Sequence, residues 1–278
     1  MNGQRTEANY FTVDGVSANS ATISGQQLGN AVGFSGSVAS QTALGTTQSL
    51  VSVDALQEFR AATSTYSAEY GRSPGGQFLF TTRSGSNDFH GSAFDYFRND
   101  ALDAANWFDS AHGGAKQAER QNDFGGTLGG PVFVPHLYNG KDKTFFFFSY
   151  EGLRLSAPQA AVTTEVASLS LRQNAPSVLQ PFLNAFPVPN GADLGNGLAY
   201  FTAGYSSPSR LDSTSVRIDH AFGDRLKAFG RFSDAPSSTM TRYPWGLSQR
   251  DLQDLKSKVV TLGATATRRF WRSSAFVY

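Results

Sequence analysis

Ser213-Thr214-Ser215-Val216-Arg217-Ile218-Asp219-His220-Ala221-Phe222, the turn Gly223-Asp224, and then Arg225-Leu226-Lys227-Ala228-Phe229-Gly230-Arg231-Phe232-Ser233 is the stretch that decides the fold. Thr214, Val216, Ile218, His220 and Phe222 fall on one side of an extended chain, and Ser213, Ser215, Arg217, Asp219 and Ala221 on the other. After the turn, Leu226, Ala228, Gly230 and Phe232 oppose Arg225, Lys227 and Arg231. Successive side chains of a strand point to opposite faces, so a two-residue period with one apolar side marks a half-buried strand. Two such runs around a Gly-Asp turn predict an antiparallel hairpin with one apolar and one charged face.

Similar segments recur on either side. The spacing predicts strands over 89–98, 122–133, 144–155, 213–222, 225–233 and 258–270. In the last, Val260, Leu262, Ala264 and Ala266 oppose Thr261, Gly263, Thr265 and Thr267. The segments 89–98 and 144–155 alternate poorly, and Phe145-Phe146-Phe147-Phe148 puts rings on both faces. About ten residues is the length of a tilted strand that crosses a bilayer.

The connections sort by length. Linkers over 99–121, 156–212 and 234–257 are long; those over 134–143, Gly223-Asp224 and Arg268–Ser274 are short. Strict alternation of long and short connections is the habit of outer-membrane barrels, with small periplasmic turns and large external loops. Compact soluble domains seldom carry loops beyond about 12–15 residues. Two stretches of the 156–212 linker, Glu165–Arg172 and Val178–Phe186, have helical spacing, interrupted by Pro176 and Pro181.

Composition narrows the function. Charged residues make up 16% of the chain, the formal net charge is +1, and no basic run is present. Nucleic acid is therefore not an expected partner, because phosphate binding needs clustered Lys and Arg. With 0 Cys, disulfide and thiolate-metal chemistry are excluded. The histidines at 90, 112, 136 and 220 lack metal-ligand spacing, and no nucleophile elbow or P-loop occurs. No catalytic or metal site and no cofactor is expected. No apolar run reaches the roughly 18 residues of a transmembrane helix, and Met1–Arg5 has no apolar core of a signal peptide. The chain reads as truncated at both ends, with Ala275–Tyr278 resembling a strand that has just begun.

The first part of the chain is different. Tyr10–Val13 reads as a short strand closed by the turn signal Asp14-Gly15, and 20–48 as mobile loop. Ala55–Arg60 reads as a short strand or helical turn, and Gln77–Arg83 as a strand opened by Gly75-Gly76.

Three motifs in this part carry a family resemblance: Val53-Asp54-Ala55-Leu56-Gln57-Glu58-Phe59-Arg60, Tyr66-Ser67-Ala68-Glu69-Tyr70-Gly71, and Gly75-Gly76-Gln77-Phe78-Leu79-Phe80-Thr81-Thr82-Arg83-Ser84-Gly85. In this order they resemble the end of the plug domain of TonB-dependent receptors. The Arg-Gly-Pro that usually follows the first strand is Arg60-Ala61-Ala62 here. Asn2–Arg5 with Asn9–Val16, Phe89–Ala104, Gln121–Pro131 and Lys143–Gly152 are similar to the mid-plug and first three barrel strands of the Oar-like subgroup.

The resemblance implies a mainly β protein: the C-terminal part of a plug over 1–88, then the first six to seven antiparallel strands of a normally 22-stranded barrel over 89–278. It implies a bacterial outer-membrane location, lipid around the strands, and energy from a TonB–ExbB–ExbD complex through a TonB box outside this chain. The transported ligand and the direction of transport stay open. By the same resemblance, Glu58, Arg60, Glu69, Arg72 and Arg83 are candidates for ion pairs between plug and barrel wall. Arg217, Asp219, Arg225, Lys227 and Arg231 are the lumen-facing candidates, since a cation at the bilayer midplane costs about 2–4 kcal/mol. Phe146, Phe148 and Tyr150 suit lipid contact or an aromatic girdle, and Gly125, Gly126, Gly129 and Gly130 a close approach of plug to wall or strand curvature. Six or seven strands leave open edges, which lipid does not tolerate. The rival reading is a surface or adhesion protein built as a β-sandwich, in which those aromatic rings would form a dry core; a carbohydrate-active enzyme stands behind it.

Overall fold

The computed structural model describes residues 8–22, 36–39, 42–44, 51–63, 66–67, 70–71, 74–104, 107, 118–242 and 249–267. In chain order the strands are β1 (Tyr10–Val13), β2 (Val16–Ser17), β3 (Asn19–Thr22), β4 (Gly36–Ala39), β5 (Leu56–Ala62), β6 (Gln77–Thr82), β7 (His90–Asn99), β8 (Arg120–Pro131), β9 (Phe133–Val134), β10 (Tyr138–Asn139), β11 (Thr144–Ala167), β12 (Leu198–Phe222), β13 (Leu226–Arg242) and β14 (Arg250–Ala266). Two short helices, α1 (Leu169–Asn174) and α2 (Gln180–Asn184), lie between β11 and β12.

The large sheet runs β14-β13-β12-β11-β8-β7, with all pairs antiparallel. Apart from the small β9–β10 hairpin, each strand pairs with its neighbour in sequence. Such a meander is an arc of an up-and-down barrel. A smaller sheet, β2-β1-β6-β5, is built from the N-terminal part, with β1 parallel to β6. Its apolar centre is Val13, packed by Phe11, Ala18, Val51 and Phe80.

Register assigns the faces. Phe147 pairs with Arg217, Arg217 with Arg231, and Arg231 with Thr261, so these side chains share the face turned toward the small sheet. Ser149, Ser213 and Ser237 follow them along the same face. Phe148, Val216, Phe232 and Val260 share the opposite one. Burial is inverted relative to a water-soluble sheet. Arg231 and Thr261 are 4% and 2% exposed, whereas Val260 and Leu262 are 66% and 75% exposed. Polar groups are inside and apolar groups outside, as a wall between lipid and a wet interior requires.

The outer apolar band runs from Phe222 and Leu226 at one rim to Val216, Phe232, Phe148 and Val260. Thr214–Phe222 rises at about 3.4 Å per residue; tilted by about 40°, it covers about 21 Å, close to the roughly 25 Å of a barrel's lipid belt. Beyond the band the outer face turns charged. Arg154 Nη2 and Arg210 Nε each meet Asp212 at 2.7 Å, and Lys258 Nζ lies 4.0 Å from Asp234.

The strands are longer than their alternation predicts. β11 has 24 residues and β12 has 25, so nearly half of the expected loop 156–212 is strand and 168–197 remains as connection. Likewise β13 and β14 take in every described residue of 234–257 except Gln249, and 243–248 lie outside the described residues. The physical reason lies in residues such as Ser156, Gln159, Thr163, Ser206, Ser207, Ser238 and Thr239. Past the charged belt both faces are polar, hydrophobic alternation disappears, and the backbone ladder continues without it. The helices are shorter than their spacing suggests. Glu165–Ala167 belong to β11, and Ser168 caps α1 by accepting from Leu171 N at 3.2 Å. Pro181 lies in the first turn of α2, where its missing N–H costs nothing, and does not break it. Ala55–Arg60 resolves into a 3-10 turn, Val53–Ala55, leading into β5. Of 20–48, Ser20–Thr22 and β4 are strand. The expected turn after β14 and the strand start at Ala275–Tyr278 lie outside the described residues.

Three of the four singled-out glycines serve packing within the wall, Gly129 lying under the His90 and Phe147 rings. A Cβ on Gly125 would collide with the Phe94 ring from β7, and one on Gly130 with the Phe89 ring. Each aromatic ring lies over a glycine of the neighbouring strand, so curvature is obtained without exposing backbone.

Candidate functional site

The junction between the small sheet and the polar face of the wall is built around Asp14. Asp14 and Gly15 join β1 to β2, with Val13 paired to Val16 and φ of 51° and 81°. Both central residues are left-handed, the type I′ geometry that Asp-Gly favours. The turn presents the Asp14 carboxylate to the wall, and the neighbouring strand fixes it. Thr82 donates to it from its backbone N at 2.9 Å and from Oγ1 at 3.0 and 2.9 Å.

Two guanidiniums from the wall converge on this carboxylate. Arg217 Nη1 donates to Asp14 Oδ1 at 3.1 Å, and Arg231 Nε stands 3.2 Å from Oδ2. The Asp14 and Arg231 side chains are each 3% exposed, and that of Arg217 is 12% exposed. Arg217 is held on all sides. Its Nε and Nη2 donate to Asp219 at 2.9 and 2.8 Å, its Nη1 donates to Thr82 Oγ1 at 2.8 Å, and its plane lies 4.2 Å from the Phe229 ring centroid. Arg231 is less well satisfied. Its Nε is close to Asp14 but poorly aligned for a hydrogen bond, and Nη1 finds no acceptor among the described residues. Arg217 and Arg231 are also direct cross-strand partners. Like charges so placed repel, and Asp14 is the anion that holds them together.

Two further contacts tie the N-terminal part to the wall. Leu44 packs against an apolar island of Leu153, Leu211 and Ala235, and Ala43 N donates to Ser237 Oγ at 2.9 Å. Ser52 is hydrogen-bonded to Glu151.

Of the lumen-facing candidates, Arg217, Asp219 and Arg231 meet at this junction. Lys227 lies on the same face near the rim, where it is exposed. Arg225 is in the Gly223–Arg225 turn rather than on the strand, because β13 begins at Leu226. Among the ion-pair candidates, Glu58, Arg60 and Arg83 are exposed and, among the described residues, make no ion pair to the wall. Arg60 lies 5.9 Å from the Tyr70 ring centroid, and Arg83 Nε donates to Leu56 O at 3.0 Å. β5, which carries Glu58 and Arg60, is the edge strand of the small sheet, and the acid that reaches the wall comes from the turn at the end of β1. Glu69 and Arg72 lie outside the described residues. Sequence reasoning missed Asp14 as a site residue, since an Asp-Gly turn accounts for it completely and nothing in the sequence marks its carboxylate.

A sheet with an apolar exterior, a polar interior and a separate module bound to that interior by ion pairs is the wall of an outer-membrane β-barrel. Residues 81–177 match the family described as outer membrane beta barrel domain. The chain is similar to the TonB-dependent transporter Oar of Myxococcus xanthus, at 32% identity over 154 residues, covering 54% of this chain and 12% of that protein. Its fold is similar to the crystal structure of the outer membrane transporter YddB from Escherichia coli, with a TM-score of 0.54 and 13% identity, over 94% of this chain and 29% of that one. The chain is thus a mainly β, unclosed arc of barrel from a protein of the bacterial outer membrane, similar to TonB-dependent transporters. It spans less than a third of the length of each of these relatives.

Proposed function

We propose that this chain is the gate-and-wall portion of a TonB-dependent transporter that moves a ligand across the bacterial outer membrane. Residues 1–88 are the back of the plug, and 89–278 the first part of the barrel, with the 168–197 connection on the outer side. Arg217, Asp219, Lys227 and Arg231 face the lumen, and Asp14 latches the plug to them. The observation that carries this reading is the inverted burial of the wall, with Arg231 buried beneath the small sheet and Leu262 bare on the other side. A sandwich of the adhesion type needs an apolar interior between its sheets; here the two sheets meet through Asp14, Thr82, Arg217 and Arg231.

The energy for release would come from the TonB–ExbB–ExbD complex acting on the plug. Ion pairs suit that use, because they are strong while both partners are in place and vanish once the partners separate into water. The test is to express the full gene product that carries this chain and follow it through fractionation. Recovery with outer membranes, with a band that shifts on heating in gels, is expected. A soluble product whose mobility ignores heating would overturn the reading.

A further inference from the structure

The short connection between β8 and β11 is not a bare turn. It folds into the β9–β10 hairpin, with Val134 paired to Tyr138 and Phe133 to Asn139 around Pro135-His136-Leu137. Its apolar side chains are turned out: Leu137 is 83% exposed, Phe133 58% and Val134 42%. A periplasmic turn that only needs to reverse the chain has no use for four large apolar residues within six positions.

Its orientation is fixed by hydrogen bonds. The Tyr138 hydroxyl bonds to Thr144 Oγ1, which in turn lies 2.6 Å from His220 Nδ1. Thr144 and His220 are cross-strand partners on the outer face, the face of Phe146 and Ile218. His220 in turn meets the Phe222 ring edge-on at 4.3 Å. The hairpin therefore leans over the outside of the wall, continuous with the apolar band, and away from the lumen. Its base is clamped where Asp142 N donates to Asn87 Oδ1 at 2.7 Å. Phe89, 64% exposed, lies beside Phe146 at this same rim. Lys141 and Lys143 are exposed at the root of the hairpin, within reach of anionic headgroups.

We infer that the β9–β10 hairpin is an interfacial foot. It inserts Phe133, Val134, Leu137 and Tyr138 into the headgroup–acyl boundary of the periplasmic leaflet, while Lys141 and Lys143 meet glycerophospholipid phosphates. Aromatic and aliphatic groups beside lysines are the chemistry that settles at such a boundary. The inference rests on the outward face of the wall being the lipid face, and the experiment separates the two.

The chain has no cysteine, so single probes can be placed cleanly. Leu137→Cys, with Leu262→Cys in the middle of the band and Asp193→Cys in the 168–197 connection as references, are made in the full gene product, with any cysteine outside this chain replaced. Each is labelled with an environment-sensitive fluorophore and folded into phosphatidylethanolamine–phosphatidylglycerol vesicles. The expected result for Leu137→Cys is blue-shifted emission, quenched by nitroxide near the headgroup more than by nitroxide deep in the acyl chain. Leu262→Cys should show the opposite depth preference, and Asp193→Cys the emission of water. Water-like emission at Leu137 with a lipid signature at Leu262 overturns the foot and points to a periplasmic protein as the occupant. Water-like emission at both positions removes the membrane wall itself, and the foot with it.

Discussion

Replacing Asp14 by Asn keeps the shape of the side chain but removes its charge and turns one acceptor oxygen into an NH2 donor. Asn tolerates the left-handed turn conformation as Asp does, so the β1–β2 turn keeps its shape. In the native junction two carboxylates, Asp14 and Asp219, balance two guanidiniums, Arg217 and Arg231. Without the Asp14 charge, Arg217 still has Asp219, but Arg231 keeps no anion and faces Arg217 directly across the strand pair. With its side chain 3% exposed, Arg231 has no water to replace the lost partner. Removing one member of a buried pair costs about 3–5 kcal/mol. At about 1.4 kcal/mol per factor of ten, the population in which the small sheet lifts from the wall rises by roughly 10² to 4 × 10³-fold. Hydrogen exchange on the membrane-folded protein reads this directly. Amides of β1 and β6 should exchange faster by roughly that factor through local opening, while those of β11–β13 within the apolar band stay protected. A second substitution, Arg231→Met, should restore much of the protection, because it removes the buried cation that the first substitution leaves without a partner. Unchanged β1 and β6 exchange in Asp14→Asn, or no recovery in the double variant, would refute the latch.

Two other substitutions test the wall and the second contact. Leu262→Arg puts a cation in the middle of the outer band and should lower the folding stability in vesicles by about 2–4 kcal/mol, read as a shifted urea midpoint; an unchanged midpoint would mean that this face does not meet lipid. Leu44→Ala empties the seat on Leu153, Leu211 and Ala235 and should cost about 2 kcal/mol, seen as faster exchange around residues 42–44 with the β1–β6 amides much less affected; exchange equal to the native protein would show that Leu44 holds nothing in place.

The fold was legible where one face of a strand contrasts with the other. Ser213–Phe222 and Leu226–Phe232 announce themselves because lipid on one side and a wet interior on the other impose opposite demands on adjacent residues. Where the strands continue into water on both sides, as at Ser206–Ser207 and Ser237–Thr239, that contrast is gone, and the outer halves of β11–β14 were invisible as strand. The same logic explains the site. Arg217 and Arg231 stand out because a cation in an alternating strand has to face inward. Asp14 does not stand out, since a turn excuses any Asp before Gly, and its role arises only when the fold brings β12 and β13 beneath it. The choice of Glu58, Arg60 and Arg83 followed family resemblance and charge, which cannot tell an edge strand from the turn that touches the wall.

An apolar junction would hold the small sheet at least as firmly. Replacing buried ion pairs by well-packed hydrophobes is often neutral or stabilising, so the retention of Arg217, Arg231 and Asp14 has to be explained by something other than adhesion. Water supplies the explanation. A hydrophobic interface, once opened, leaves two apolar surfaces in water that would bind other apolar groups or close again at random. Charged surfaces, once opened, are solvated and stay separate until the register that aligns Asp14 with both arginines is recovered. The small apolar island under Leu44 is consistent with this division: it is confined to Leu153, Leu211, Ala235 and Leu155, while the junction at Asp14 is polar apart from the Phe229 and Phe147 rings beside Arg217. The proposed gate, which would have to open and reseat in one position, is better served by a contact whose strength depends on geometry than by one that depends on area.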